Sequence, residues 1–385
     1  MERTKSRLAK ALVAPSASST RVASEALEQV TQVHGWRLKE FLASGASGWV
    51  YRVVKAEERG RKAVVKIAVT DEIGDQLRAN EEVRLEAFLL LRLMKEPADA
   101  GVKTHDFASL AQEIKTANAK ARADDRAGKP RTGAVRLYDC GVIVVEGVDR
   151  FFVVVEEADP RIDRRLVKGP EGAAWTLQQR VVGAVNASVR LLKAVNDLHD
   201  RGILHRDLKH QNMGLVDDAQ GKAQLVLFDL GLARFYTDSA GRLREPRSYP
   251  DFRGTVEWAG LTAELGREQT RLDDLWAWFY CSIEWVRHDA LGHQEVFPWT
   301  NPHGQSDLPL EQRLLLKSQQ LPARVLLHRC PKEFFEVNSH LVVTRGVDQA
   351  PDYGYLAAVL VRCMRRLAQL PDDEESFLKG MAYEY

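Results

Sequence analysis

Eight residues, His205-Arg206-Asp207-Leu208-Lys209-His210-Gln211-Asn212, constrain this chain more than any other stretch of it. They set a carboxylate, an ammonium and a carboxamide in one loop between two strongly patterned segments. Before the loop, Val181, Val182, Val185, Val189, Leu192, Val195 and Leu198 recur at three- and four-residue steps, the buried stripe of a long amphipathic helix. After it, residues 225–228 read as a short apolar strand that ends in Asp229. Other signals fall in a fixed order around the loop. A glycine-containing stretch lies at 44–50 and a strand lysine at Lys66; Asp229-Leu230-Gly231 and Gly254-Thr255 follow. Motifs in order restrict the possibilities far more than any one of them does.

The octapeptide reads H-R-D-L-K-x-x-N, and with the other signals it resembles the machinery of a eukaryotic-type Ser/Thr protein kinase. The resemblance implies an α+β, bilobal protein-kinase-like fold, with a small, mainly β N-lobe and a larger helical C-lobe. It implies ATP bound along residues 155–158 and transfer of the γ-phosphoryl group from Mg-ATP to a protein Ser or Thr. That reaction needs a placed nucleotide, neutralised charge and an aimed acceptor oxygen. Leu42, Ala43, Ser44, Gly45, Ala46, Ser47, Gly48, Trp49 and Val50 resemble the Gly-rich loop. Glycine there lets the backbone approach phosphates without a Cβ clash. Val50 would pack on the purine, and Val64, Glu156 and Ala158 would complete the nucleotide site. Lys66 would hold the α- and β-phosphates as a point charge, with Val65 and Ile67 on the opposite face of its strand. Glu86 is its expected ion-pair partner, with Glu81 and Glu82 as rivals on the same helical segment. Asp207 would orient the acceptor oxygen and Lys209 would stabilise the transferring group. Asn212 and Asp229 would hold Mg²⁺. Thr255 would tie the end of the activation segment to Asp207 and Lys209, and Asp274 would anchor the catalytic-loop backbone.

Three stretches narrow the resemblance. Phe252-Arg253-Gly254-Thr255-Val256-Glu257-Trp258-Ala259, then Arg271-Leu272-Asp273-Asp274-Leu275-Trp276-Ala277-Trp278-Phe279-Tyr280, then Pro298-Trp299 are similar to tau-tubulin kinases. Pro331-Lys332-Glu333-Phe334 and Ala350-Pro351-Asp352-Tyr353 resemble the closing signals of the casein kinase 1 superfamily. The likeness runs from Trp36 to Leu367 and leaves 97–132 unmatched. Several positions depart from the pattern. Ala43 stands for the first glycine of the loop, Leu230 for the aromatic residue of D-F-G, and His210 for a common proline. Gly214 falls where an apolar side chain usually floors the adenine, and Glu257 where a basic residue is frequent. Ala43, Leu230 and Gly214 motivate a competing reading, a pseudokinase scaffold that binds nucleotide or partners without transfer. A small-molecule kinase of similar fold is a third reading, opposed by the activation-segment likeness. Arg234, Arg242, Arg244, Arg247 and Arg253 lie in the activation segment, and Arg206 precedes Asp207. The resemblance implies activity that does not wait for phosphorylation there.

The 385 residues are 45% hydrophobic and 28% charged, enough for one large or two modest domains. Lys+Arg 55 against Asp+Glu 54 argues against a dedicated nucleic-acid binder. Cys140, Cys281, Cys330 and Cys363 lack metal-ligand spacing and fit a reducing, intracellular setting, cytoplasmic or nuclear. His199, His205 and His210 read as packing or hydrogen-bonding imidazoles. No run of about 18 apolar residues predicts a transmembrane helix. The chain divides into a disordered or partly helical extension at 1–34, a kinase domain at 35–367 and a short tail at 368–385. Within the domain the N-lobe covers about 35–156 and the C-lobe about 157–367. Residues 97–132, rich in Ala, Lys, Asp and Arg, read as an insertion with one short amphipathic helix through Phe107, Leu110 and Ile114, dispensable for folding. The expected partner is a protein substrate with a Ser or Thr acceptor, and the expected state is a monomer.

Overall fold

Ala63–Ile67 alternates between buried and half-buried side chains, and this period of two organises the first part of the chain as sheet. The computed structural model describes residues 30–45, 48–57, 61–69, 75–95, 107–145, 147–169, 175–218, 220–238, 240–248, 250–293, 297–301, 306–318, 323–344 and 350–382. Residues 1–29 of the extension read at 1–34, Ala46 and Ser47 of the glycine loop, and 96–106 of the insertion lie outside the described residues, while Gln32–Val33 near the end of that extension form a short strand in place of disordered or helical chain. Contacts divide the chain into two compact units, the first holding residues up to Phe88, His105–Thr116 and Arg136–Glu157, the second holding the remainder.

The first unit is a fully antiparallel sheet of β1 (Gln32–Val33), β2 (Trp36–Gly45), β3 (Gly48–Val54), β4 (Ala63–Ile67), β5 (Leu137–Val145) and β6 (Val148–Glu156). Their order is β1-β2-β3-β4-β6-β5. Trp36, Trp49, Val53, Val65, Ile67, Phe152 and Val154 form one apolar cluster on it. Trp36 Nε1 donates to Asp139 Oδ2 at 3.2 Å, tying β2 to β5. The helix α1 (Gln76–Met94) is pinned to the sheet by polar bonds. Gln76 Nε2 donates to the Ala68 carbonyl at 2.9 Å, and Asn80 Oδ1 accepts from the Phe151 amide at 2.8 Å. Val83 and Ala87 are buried on the same helix.

The second unit is mainly helical. α3 (Leu177–His199) starts at a capping box in which Thr176 and Gln179 exchange backbone and side-chain bonds. Thr270 and Asp273 build the same device at the start of α5 (Arg271–Glu284). Of the seven residues read as the stripe on α3, Val181, Val185, Leu192, Val195 and Leu198 are buried and Val182 and Val189 are half-buried at its edge. Trp278 on α5 is buried and donates to the Ser188 carbonyl at 2.8 Å. Between these helices come β7 (Ile203–Leu204), the pair β8 (Met213–Asp217) and β9 (Ala223–Leu227), β10 (Arg234–Phe235) and the short α4 (Leu261–Glu264). The chain closes with α6 (Leu310–Ser318), α7 (Ala323–Leu326), α8 (Glu333–Val343), α9 (Tyr353–Leu367) and α10 (Glu374–Met381). A mainly β unit followed by a larger helical one is the α+β class expected from the sequence. No helix among the described residues is long and apolar enough to cross a membrane.

Two segments hold more structure than their composition promised. The insertion carries a helix of 20 residues, α2 (Phe107–Arg126), in place of one short helix. Leu110, Ile114, Ala117 and Asn118 on it are buried, so a single stripe suffices where alanine leaves the rest of the surface smooth. The residues expected as a tail include α10, whose Phe377 and Met381 are buried. Arg366 Nη1 donates to the Gly380 carbonyl at 2.7 Å and holds this helix in place.

Candidate active site

In the first unit the site is built on β4 and its neighbours. Val65 and Ile67 point into the apolar cluster, so Lys66 lies on the other face of the strand. Its Nζ is 3.1 Å from Glu86 Oε2. Both side chains are largely enclosed, 12% and 4% exposed, so this pair is screened less than a surface one. Of the three acidic residues considered on α1, Glu86 is the one whose carboxylate meets Lys66, while Glu82 pairs with Arg78. The glycine loop is the hairpin of β2 and β3, which closes where Gly45 pairs with Gly48. Ala43 and Ser44 pair with Val50 and Trp49 in its ladder; Leu42, Ala43 and Ser44 are exposed and Trp49 is buried. Gly48 is there for space: a Cβ at this position would lie 2.3 Å from the Ile67 carbonyl oxygen. Val64 pairs with Val155 across β4 and β6. The Glu156 amide donates to the Arg136 carbonyl at 2.9 Å, and the Arg136 amide returns a bond to Glu156 Oε2 at 3.3 Å.

In the second unit the loop after β7 brings the chemistry-bearing groups together. Asp207 is buried and receives three cationic or polar neighbours. Thr255 Oγ1 donates to its Oδ1 at 2.6 Å, Asn212 Nδ2 donates to its Oδ2 at 2.9 Å, and Lys209 Nζ lies 2.9 Å from Oδ2. Lys209 also donates to Thr255 Oγ1 at 2.8 Å. Asn212 Nδ2 bonds the Asp207 carbonyl as well, at 2.9 Å. With its NH₂ committed to Asp207, the carboxamide turns its oxygen the other way, the orientation a hard cation ligand needs. Asp229 follows β9 with φ 58° and ψ 62°, a left-handed conformation that costs about 1–3 kcal/mol in a residue other than glycine. Leu230, the departure from D-F-G, is fully buried, so an aliphatic side chain fills that position.

A buried carboxylate holds this loop in shape. Asp274 on α5 accepts from the His205 amide at 2.7 Å, the Arg206 amide at 2.8 Å and His199 Nε2 at 2.9 Å. Burial alone would raise its pKa, but the His199 hydrogen bond and charge and the Arg206 amide outweigh this and lower it. Arg206 sits at φ 65°, and its amide bond to Asp274 is what keeps it there. His205 Nδ1 accepts from the Asp207 amide at 3.3 Å while Nε2 faces the Phe228 carbonyl at 3.3 Å, which selects the tautomer protonated on Nε2. His199 Nδ1 meets the Tyr353 hydroxyl at the start of α9. Sequence reading named Thr255 and Asp274; Tyr353 was noted only as part of a closing signal, and nothing local in the sequence links it to His199.

The departures have structural reasons. His210 stacks on Trp285 with ring centroids 4.9 Å apart and lies 3.4 Å from Glu284. Burial lowers its pKa, but Glu284 more than offsets this and the net direction is up. A Cβ at Gly214 would lie 2.8 Å from the Ala158 Cβ and 3.0 Å from the Asp159 carbonyl oxygen. The cause is a bridge in which Asp159 and Leu215 exchange backbone bonds at 2.8 Å. Ala158 therefore takes the space that a side chain at 214 would fill. Glu268 collects two arginines of the activation segment. Its carboxylate receives Arg247 Nε at 2.6 Å and Nη2 at 3.0 Å, and Arg234 lies at 3.4 Å. Burial, with Arg247 and Arg234 nearby, brings the Arg206 guanidinium down to about 10.

Residues 143–290 match the protein kinase domain family. That span holds Asp207, Asn212, Asp229, Thr255 and Asp274; Lys66 and Glu86 lie before it. The chain is 27% identical over 195 residues to casein kinase I homolog 1 of Schizosaccharomyces pombe, covering 49% of this chain and 41% of that protein. It is 25% identical over 210 residues to casein kinase I homolog 3 of the same yeast, 51% and 44% of the two chains. It is 28% identical over 171 residues to the serine/threonine-protein kinase spe-6 of Caenorhabditis elegans, 44% and 42%. The aligned residues thus span less than half the length of these curated relatives. The kinase-domain match over the catalytic loop, with casein kinase I homologues among its relatives, supports a serine/threonine protein kinase of the casein kinase I group.

Proposed function

We propose that this chain transfers the γ-phosphoryl group of ATP to the hydroxyl of a protein serine or threonine. The observation that carries the reading is the Asp207 carboxylate, held at once by Thr255, Asn212 and Lys209. A carboxylate fixed in this way can accept the hydroxyl hydrogen bond and aim the acceptor oxygen without reorganising. Lys209 would balance charge on the transferring group, and Lys66, set by Glu86, would hold the nucleotide phosphates. Leu42, Ala43, Ser44, Gly45, Ala46, Ser47, Gly48, Trp49, Val50 and Val64 would form the cover and wall of the nucleotide site, and Glu156 and Ala158 its adenine edge. Asn212 and Asp229 fit Mg²⁺, since both offer oxygen ligands and Asn212 has its NH₂ turned away. The ion would supply neutralisation of phosphate charge. The finer likeness to tau-tubulin kinases, a monomeric state and an intracellular address, cytoplasmic or nuclear, belong to the same proposal, as do a basal activity independent of activation-segment phosphorylation and the absence of a nucleic-acid partner.

Three substitutions test it together. Asp207→Asn removes an interaction used mainly in the transition state, so transfer should fall by orders of magnitude while Mg-ATP affinity holds. Lys66→Met should lose activity through misplaced phosphates. Asp229→Asn should make nucleotide affinity less dependent on Mg²⁺. Calorimetry and phosphate transfer to a random Ser/Thr peptide mixture read these out side by side. A wild type that phosphorylates neither the peptides nor itself, with nucleotide binding indifferent to all three changes, would establish the pseudokinase scaffold instead.

A further inference from the structure

α6 inverts the usual order of burial. It leaves Leu315 half exposed at 50%, while the Lys317 side chain on the same helix is 0% exposed. A buried ammonium is costly unless each of its N–H groups finds a partner. Lys317 has three donors and three acceptors converge on them: the Val256 carbonyl at 2.7 Å, the Ala259 carbonyl at 2.9 Å and Glu264 Oε1 at 2.5 Å. The faces of Trp299 and Tyr280 close over it at 5.0 and 5.9 Å. Glu264 is itself buried, and Arg313 Nε donates to its other oxygen at 2.9 Å, so the cluster is complete. Burial still pushes the Lys317 ammonium below its ordinary value, against the pull of Glu264.

What the cluster grips is the chain immediately after Thr255. Val256 follows Thr255, whose hydroxyl bonds Asp207 and Lys209. The Thr255 carbonyl in turn accepts from the amides of Trp258 at 3.2 Å and Ala259 at 2.9 Å, making 255–259 one tight turn. Lys317 holds two carbonyls of that turn from one nitrogen. Trp299, which covers the ammonium, also donates through Nε1 to the Glu257 carbonyl at 2.9 Å. We infer that Lys317, balanced by Glu264, is a positioning residue for the phosphoryl acceptor: it fixes the turn 255–259 and through Thr255 the orientation of Asp207. This rests on Asp207 being the acceptor-orienting group. Because the three acceptors form a tripod about one nitrogen, the planar fork of arginine cannot replace the ammonium.

Hydrogen exchange by mass spectrometry on the full chain tests the clamp without relying on activity. Lys317→Met should speed exchange at Trp258 and Ala259 by about tenfold or more, the loss of a charge-assisted hydrogen bond. Amides of α3 should be unchanged. Lys317→Arg should behave like Lys317→Met. With the random Ser/Thr peptide mixture, acceptor KM should rise and kcat per folded molecule fall, while Mg-ATP affinity stays within about twofold. If Lys317→Met does not fold, the pair Glu264→Gln with Lys317→Met carries the test, since it leaves no unbalanced charge of that ion pair. Unchanged exchange at Trp258 and Ala259 in a folded variant overturns the inference, and so does full rescue by arginine. A wild type without transfer activity would instead overturn the kinase reading, and the exchange result would still decide the role of Lys317.

Discussion

Replacing Asp274 by asparagine isolates the anchor of the catalytic loop with almost no change of volume. The carboxylate accepts from two backbone amides and one imidazole, and both oxygens are used: His205 and His199 on Oδ2, Arg206 on Oδ1. Asparagine keeps one acceptor oxygen, so whichever way it turns, its NH₂ faces at least one N–H donor. A hydrogen bond to a charged group contributes about 1.5–3 kcal/mol, and an orphaned buried donor adds its own desolvation cost of about 1–3 kcal/mol. The sum, about 2.5–6 kcal/mol, brackets the roughly 3–5 kcal/mol that breaking a buried charge pair usually costs. Arg206, at φ 65°, loses the bond that holds it, so the loop should relax and Asp207 move with it. Urea unfolding followed by tryptophan emission reports this, because Trp278 is buried on the same helix as Asp274. The pH dependence adds a second check. The Asp274 pKa is lowered in the fold, so its stabilisation is present above the unfolded value near 3.8 and is lost as pH falls through the folded value. Asp274→Asn should therefore flatten the acid limb of the stability curve. A variant within about 1 kcal/mol of wild type and equally acid-labile would refute the reasoning.

The other predictions rest on separate features. Gly214→Ala should destabilise by about 1–3 kcal/mol through overpacking against Ala158, and Ala158→Gly in the same chain should recover most of it in a double-mutant cycle. Ile114→Ala on α2 should cost about 2–5 kcal/mol, and exchanging residues 100–128 for a Gly/Ser linker should lower the melting temperature with or without Mg-ATP; an unchanged melt would restore the view that the insertion is dispensable. The His210 pKa is raised in the fold, so its pairing with Glu284 contributes fully below the unfolded value of 6.5 and is lost as pH rises through the higher folded value. His210→Gln should therefore narrow its stability deficit on going from pH 6 to pH 8, seen by chemical denaturation. Glu268→Gln should loosen the Arg247 end of the activation segment, so phosphatase-treated wild type keeps its activity while the variant loses part of it; dependence of the wild type on a second kinase would contradict this.

The residues that meet within a few positions of one another were legible before any coordinates. His205 to Asn212 were picked out by their likeness to a kinase catalytic loop, and most of the stripe on α3 and the alternation around Lys66 gave their burial directly. Glu86 was separable from Glu81 and Glu82 only by likeness, because helical spacing leaves more than one acidic residue within reach of a strand. The roles of Tyr353, Glu268 and Lys317 were not legible. Each meets a partner tens of residues or more away, and a lysine among leucines on α6 looks like an ordinary solvated residue until the carbonyls of Val256 and Ala259 are found around it. Composition misled on the extent of the insertion's helix, which was expected to be short and runs 20 residues with Leu110 and Ile114 inside.

The bond between Tyr353 and His199 has a consequence for the order in which the protein is made. A ribosome that has released the chain through Asp274 has already synthesised Lys66, Asp207, Asn212 and Asp229. The imidazole that steadies Asp274 still lacks its hydroxyl partner until α9, well after Asp274 in the chain, leaves the exit tunnel. At the usual pace of about 5–20 residues per second, the nascent chain spends several seconds with all of those groups present and that latch unmade. Chains terminated before α9 would therefore carry Asp207, Asn212 and Asp274 without the Tyr353 contact to His199.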